Sequence, residues 1–253
     1  MTDPGNVTAA LILIGNELLS GRTQDTNLHT LATTLATVGI KLAEARVIAD
    51  DAQTIQDTIN EMRARCTYVF TTGGIGPTHD DITAENVAAA FGVPLIEHPE
   101  AKRLLLEYFA GRGVEANAAR MRMARTPEGA TLVDNPVSVA PGFCIGNVYV
   151  MAGVPRIMKA MLDNIVPTLQ HGKITHSRSV LCNLPEGELA KPLEAIARKF
   201  PDTDIGSYPG KGGGSFRVNL IARGEKLESL DAVESAILEM VAELGGDVLP
   251  ADQ

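Results

Sequence analysis

What most constrains this chain is a repeated alternation in which an apolar run of strand length is followed by residues at helical spacing and closed by glycine. Val7 to Ile14 is almost unbroken apolar sequence, as in a strand covered on both faces, and Gly15 ends it. Leu28, Leu31, Leu35 and Val38 recur at helical intervals and stop at Gly39, which predicts a helix from about Gln24 with a glycine C-cap. Leu42 to Ile48 reads as a second strand, with Ile55, Ile59 and Met62 marking one face of a second helix. Thr67 to Phe70 gives a third strand, and Val87, Ala90 and Phe91 a third helical stripe closed by Gly92. Such alternation predicts a parallel sheet with right-handed crossovers, whose ligands bind beyond the carboxyl ends of the strands.

Further along, Pro99 to Met123 has helical spacing, with Leu104, Leu105, Tyr108 and Phe109 as its apolar contacts, and suits a lid or outer layer. Asn147 to Met151 reads as another strand, followed by Gly153, Pro155 and a helix lined by Met158, Met161, Leu162 and Ile165. The first domain is expected to span residues 1–170, with a smaller α/β appendage over 171–253 after the His171-Gly172 break. In the appendage, Phe216, Val218 and Leu220 alternate with Arg217 and Asn219, as in a strand with one wet face. Helices carrying Leu189, Leu193, Ile196 and Phe200, and Val233, Ile237, Met240 and Val241, flank that strand.

Composition narrows the function classes. With 45% apolar and 21% charged residues, the 253-residue chain has ample material for a core. No stretch approaches the roughly 20 apolar residues of a membrane helix, and Met1 to Asn6 lacks the order of a signal peptide, so a cytoplasmic location is expected. Cys66, Cys144 and Cys182 form no C-x-x-C spacing and are expected to be reduced and structural. A net charge of −9 opposes nucleic-acid binding, so an anionic ligand must be held by local donors.

The sharpest local feature is Thr72-Gly73-Gly74-Ile75-Gly76-Pro77, which leaves a buried strand and reaches Asp80-Asp81 just before a helix. Its three glycines let main-chain amides approach a phosphate or a pterin ring without side-chain obstruction. The competing reading is a tight turn in which Asp81 or Thr83 only caps the helix. A second acidic pair, Asp50-Asp51, stands where the preceding strand should end, so Asp50 and Asp81 can face one pocket and hold magnesium or a similar divalent cation against ligand phosphates. N-capping of the helix bearing Ile55 explains Asp50-Asp51 equally well. After the first strand, Glu17, Asp25 and Asn27 are candidate ligand contacts that serve equally as turn and cap residues. The histidines show no paired metal-ligand spacing; His79, within the loop, is a candidate proton carrier. Arg120, Arg122 and Arg125 lie close together, either to steer an anion or as a solvated helix face.

The run Gly73 to Thr83 closely resembles the signature of the molybdopterin-binding domain family. The stretch Ile14 to Gly21 with Asp25-Thr26-Asn27, then Asn135-Pro136, Ala140 to Phe143 and Gly153-Val154-Pro155, resemble its competence/damage-inducible protein A branch. The molybdopterin-binding-like domain of eukaryotic FAD synthase is similar. The resemblance implies a three-layer α/β domain with a mostly parallel sheet, followed by a small α+β, KH-like extension. It nominates Asp50 and Asp81 as catalytic and metal-holding residues, with Glu17, Asp25, Asn27, Thr72, Gly73, Gly74, Gly76, Asp80 and Pro155 around the ligand. The activity implied for this branch is divalent-metal-dependent hydrolysis, with magnesium or cobalt, of a nucleotide pyrophosphate such as ADP-ribose or FAD. The wider family implies pterin binding or adenylyl transfer to molybdopterin, and a non-catalytic nucleotide-binding module is the third possibility. Homo-oligomers are expected, and the amide-hydrolysing nicotinamide mononucleotide deamidase activity of longer relatives is not.

Overall fold

The computed structural model describes residues 7–209 and 218–250 and divides into two units, Met1–Lys173 and Ile174–Gln253. The first unit opens with β1 (Thr8–Ile14), a one-turn helix α1 (Asn16–Leu19), α2 (Asn27–Thr37), β2 (Lys41–Ile48), α3 (Ala52–Arg65), β3 (Tyr68–Thr72) and α4 (Thr83–Phe91). It continues through β4 (Leu95–Glu97), α5 (Pro99–Ala110), α6 (Ala118–Met121), β5 (Arg125–Pro127), β6 (Thr131–Val133), β7 (Gly142–Ile145), β8 (Val148–Met151) and α7 (Pro155–Ile165).

Six of these strands form one sheet in the order β2-β1-β3-β8-β7-β6. Strands β2, β1, β3 and β8 are mutually parallel, whereas β7 runs antiparallel to both β8 and β6. Because β1 is buried on both faces, its side chains divide between two cores. Ala9, Leu11 and Leu13 pack with Phe70 and Met151 against Leu31 and Leu35 of α2 and Met158, Met161, Leu162 and Ile165 of α7. Ala10, Ile12 and Ile14 pack with Val69, Val148 and Val150 against Ile55, Ile59 and Met62 of α3 and Val87 of α4. The result is three layers, helix on sheet on helix.

Several sequence expectations shift. Helix α2 starts at Asn27 rather than near Gln24, because both carboxylate oxygens of Asp25 accept backbone N–H groups, from Asn27 and Leu28, and stop the helix there. Leu28 lies on its exposed side. The helical pattern from Pro99 to Met123 is broken: α5 ends at Ala110 and α6 is a separate turn. Of its expected contacts, Leu105 and Phe109 are buried, with Ala101 and Ala124 completing a small core of their own. Strands β4 to β7 have no counterpart in the sequence reading; at three or four residues each they carry too little pattern to be recognised.

The second unit holds β9 (His176–Cys182), α8 (Glu186–Lys199), β10 (Asp204–Pro209), β11 (Val218–Gly224) and α9 (Leu227–Glu243). Its antiparallel sheet has the order β10-β11-β9. The expected alternation appears in β11, where Val218, Leu220 and Ala222 are buried beneath Leu189 and Leu193 of α8 and Val233, Ile237, Met240 and Val241 of α9. Phe216 and Arg217, assigned to the start of this strand from the sequence, lie outside the described residues. Among the described residues no helix is long and apolar enough to cross a membrane.

Candidate functional site

Because β1, β2, β3 and β8 are parallel, Ile14, Ile48, Thr72 and Met151 all end at one rim of the sheet. Strand β6, antiparallel to β7, delivers the loop after Val133 to the same rim. The chain passes from β1 to β2 on one side and then crosses to β3 on the other, which makes the β1/β3 boundary a topological switch point. An open cleft of about 480 Å³ lies there, within the roughly 300–1,000 Å³ typical of small-molecule sites.

The glycine loop forms its floor. Gly73 has φ +102° and Gly74 φ +65°, and a Cβ on Gly73 would come closer than 3.0 Å to the Ile14 carbonyl oxygen, so only glycine lets the ends of β1 and β3 meet this tightly. Thr83 fixes the loop from the other side, its hydroxyl donating to the Gly73 carbonyl at 3.0 Å and its amide to the Gly74 carbonyl at 3.0 Å. A Cβ on Gly76 would strike the Asp81 carboxylate.

Asp50, Asp81, Glu17, Gly73, Gly74, Gly76, Asp80 and Pro155 all line this cleft. Asp50 Oδ2 accepts the Asn16 amide at 2.9 Å, leaving Oδ1 without a hydrogen-bond partner among the described residues. Its neighbour Asp51 is the true cap of α3, accepting the Thr54 amide and hydroxyl, which hold its carboxyl below the ordinary range. Of the acidic pair, Asp51 takes the capping role, and Asp50 lines the cleft. Asp81 does not cap α4; its Oδ2 turns back to the Thr78 amide at 2.7 Å, and Oδ1 is likewise without a hydrogen-bond partner among the described residues. The Thr78 hydroxyl lies 2.5 Å from Asp80 Oδ1 and 2.6 Å from Asp81 Oδ2, and its one proton serves one of them at a time. This contact holds the Asp80 carboxyl below its usual range.

Other expected residues lie elsewhere. Thr72, Asp25 and Asn27 line a side recess of about 50 Å³ that shares Ile14, Glu17, Thr23, Gly153 and Pro155 with the main cleft. Asp25 is occupied in capping α2. Asn27, 5% exposed, donates to the Gly153 carbonyl at 2.8 Å, and its Oδ1 is a buried acceptor with no donor among the described residues. The His79 side chain is 98% exposed and is not on the cleft lining. Arg120 reaches the Glu115 carbonyl and lies over Phe109, away from the site.

The cleft also contains residues that sequence reasoning did not assign to a ligand: Thr23, Met123, Asn135, Ser138, Ala140 and Ile157. Buried Asn135 organises its loop, with Oδ1 accepting the Val137 and Ser138 amides and Nδ2 donating to Ser138 Oγ and the Ala140 carbonyl. That network supports Val139 at φ +67°, unusual for a β-branched residue. The Asn-Pro dipeptide was the available signal. Among the described residues no three His, Cys, Asp or Glu side chains converge as a complete metal cage. Asp50 and Asp81 line one cleft, and each has one carboxylate oxygen without a hydrogen-bond partner among the described residues, the donor type that a hard cation takes.

A three-layer α/β domain with a glycine loop and acids at the carboxyl rim of its sheet has the architecture in which small-molecule sites commonly form. Residues 10–171 match the family described as probable molybdopterin binding domain, and residues 174–245 match the FAD synthase middle domain. A protein of Aeropyrum pernix is 33% identical over 96% of this chain and 97% of its own length. A CinA-like protein of Desulforapulum autotrophicum is 35% identical over 76% of this chain, which corresponds to 49% of that protein. The crystal structure of the protein CinA with unknown function from Thermoplasma acidophilum superposes with a TM-score of 0.60 at 30% identity, over 65% of this chain and 98% of that one. The chain belongs to the molybdopterin-binding domain family, in its CinA-like branch.

Proposed function

We propose that this chain hydrolyses the diphosphate of a nucleotide such as ADP-ribose or FAD with the aid of a divalent cation of the magnesium or cobalt type. The observation that carries the reading is that Asp50 and Asp81, from separate crossover units, line one cleft with the glycine loop, each keeping one carboxylate oxygen unengaged. The cation, held by Asp50 and Asp81, would neutralise charge on the diphosphate. The Gly73 amide is engaged by the Met151 carbonyl at 3.2 Å, so the main-chain amides of Gly74 and Gly76 would orient the phosphate oxygens. Carboxylates line the cleft and the exposed His79 does not, which favours a rim carboxylate as the group that would take the proton as water oxygen bonds to phosphorus and the anhydride P–O bond breaks. ADP-ribose and water then give AMP and ribose phosphate, and the departing phosphate carries the bond electrons.

A second reading, pterin binding or adenylyl transfer to molybdopterin, is favoured by the family match over residues 10–171. One experiment separates them: incubation of the pure protein with magnesium or cobalt and, in turn, ADP-ribose, FAD, or molybdopterin plus ATP, followed by mass analysis of the products. Cleavage of ADP-ribose or FAD that Asp81→Asn abolishes is expected. An adenylylated pterin would establish the second reading, and a ligand bound but unchanged would reduce the protein to a binding module.

A further inference from the structure

Beside the cleft lies a second, water-sized recess of about 20 Å³, and Gly74, Ile75, Gly76, Asp81 and Met123 line both. Arg122 and Arg125 line only the recess. The chain carries an excess of acid; Arg46 pairs with Glu44 and Glu61, Arg103 with Glu100 and Glu107, and Arg178 with Asp231 and Glu234, whereas arginines such as Arg22 and Arg156 make no ion pair among the described residues. Arg122 and Arg125 have no ion-pair partner among the described residues. Half-buried Arg122 spans from the turn after α6 to the acidic loop, where its only hydrogen bond among the described residues is a 3.5 Å contact from Nη2 to the Asp81 carbonyl. Most of its donors are therefore uncommitted, in a position where withdrawing a guanidinium from water has to be offset. Asp81 and Glu85 are the carboxylates on the same lining and oppose an anion there.

We propose that Arg122, with Arg125 on the same lining, is an anion subsite at the Asp81 end of the glycine loop: the recess itself holds no more than a water, and the guanidinium would reach an oxygen of one phosphoryl group of a diphosphate seated in the adjoining cleft. The assignment rests on the hydrolase reading for its substrate class. It makes Arg122 a specificity residue: Asp50 and Asp81 select a metal-bound phosphate, and the guanidinium favours a second phosphoryl group over a lone monophosphate. A planar fork of donors suits that role better than an ammonium, so lysine is a partial substitute.

The test measures calorimetric binding of magnesium pyrophosphate, with melting temperature as a check on folding, for wild type, Arg122→Gln, Arg122→Lys and Arg125→Gln, alongside ADP-ribose hydrolysis. Losing one charge-assisted contact predicts about ten- to hundredfold weaker pyrophosphate binding for Arg122→Gln at unchanged melting temperature. Arg122→Lys should recover part of the loss, Arg125→Gln should lose less, and the differences should shrink in high salt. Wild-type affinity in Arg122→Gln, or no pyrophosphate binding by the wild type, overturns the subsite. Arg122-dependent pyrophosphate binding without nucleotide cleavage would refute the hydrolase reading and leave the subsite standing. Cleavage with a KM that Arg122→Gln does not move would do the reverse.

Discussion

Substituting Gly73 by alanine tests whether the rim is held together by the close approach of β1 and β3. At φ +102° an alanine costs about 1–3 kcal/mol in backbone strain. Its Cβ would lie closer than 3.0 Å to the Ile14 carbonyl oxygen, and forcing such an overlap open costs a further ~1–3 kcal/mol. The sum, about 2–6 kcal/mol, is a large part of the roughly 5–15 kcal/mol that stabilises a domain. Gly21 supplies the control, since it also has positive φ, +69°, but a methyl group there would meet nothing within 4 Å, so Gly21→Ala should cost only the strain, about 1–2 kcal/mol. Hydrogen-exchange mass spectrometry of β1 and β3 peptides across a urea series reads the first unit without interference from the second. Equal destabilisation of the two variants would refute the argument that steric contact at the switch point, rather than φ alone, requires Gly73.

Further outcomes follow from other contacts. Asp50→Asn retains an acceptor for the Asn16 amide and should fold like wild type while losing nucleotide cleavage, whereas Asp50→Ala should also lose about 0.5–2 kcal/mol of stability in urea melts. Asn135→Ala leaves the Val137 and Ser138 amides without their acceptor and should cost about 1–3 kcal/mol, with faster hydrogen exchange confined to residues 135–140. Glu61, hydrogen-bonded by Arg46, titrates at about 2 instead of 4.5. Its folded-state pKa is depressed, so the unfolded chain takes the proton first; the contribution is complete above pH 4.5 and disappears as the pH falls toward about 2. Glu61→Gln should flatten the acid limb of the stability curve over that interval, most clearly at low salt.

How much was legible follows from where each residue spends its interactions. Strand β1 was readable because both its faces are covered, leaving an apolar run without alternation. The convergence of Asp50 and Asp81 on one cleft was readable from topology, since parallel strands bring their carboxyl ends to a shared rim. Asp25 and Asp51 were ambiguous because a carboxylate that caps a helix and one that meets a ligand look the same in sequence; only the partner amides separate them. The loop around Asn135 joins two antiparallel strands of three and four residues, too short to announce themselves, and so its place on the cleft was hidden. Arg122 shows the same limit, since its spacing does not reveal that the turn after α6 brings its side chain to the Asp81 carbonyl.

The most direct measurement is a crystal structure with magnesium and a non-hydrolysable ADP-ribose analogue. The account predicts a metal touching Asp50 and Asp81, with the diphosphate against the amides of Gly74 to Gly76. A ligand seated elsewhere, or both aspartates left without contact to metal or phosphate, would contradict it.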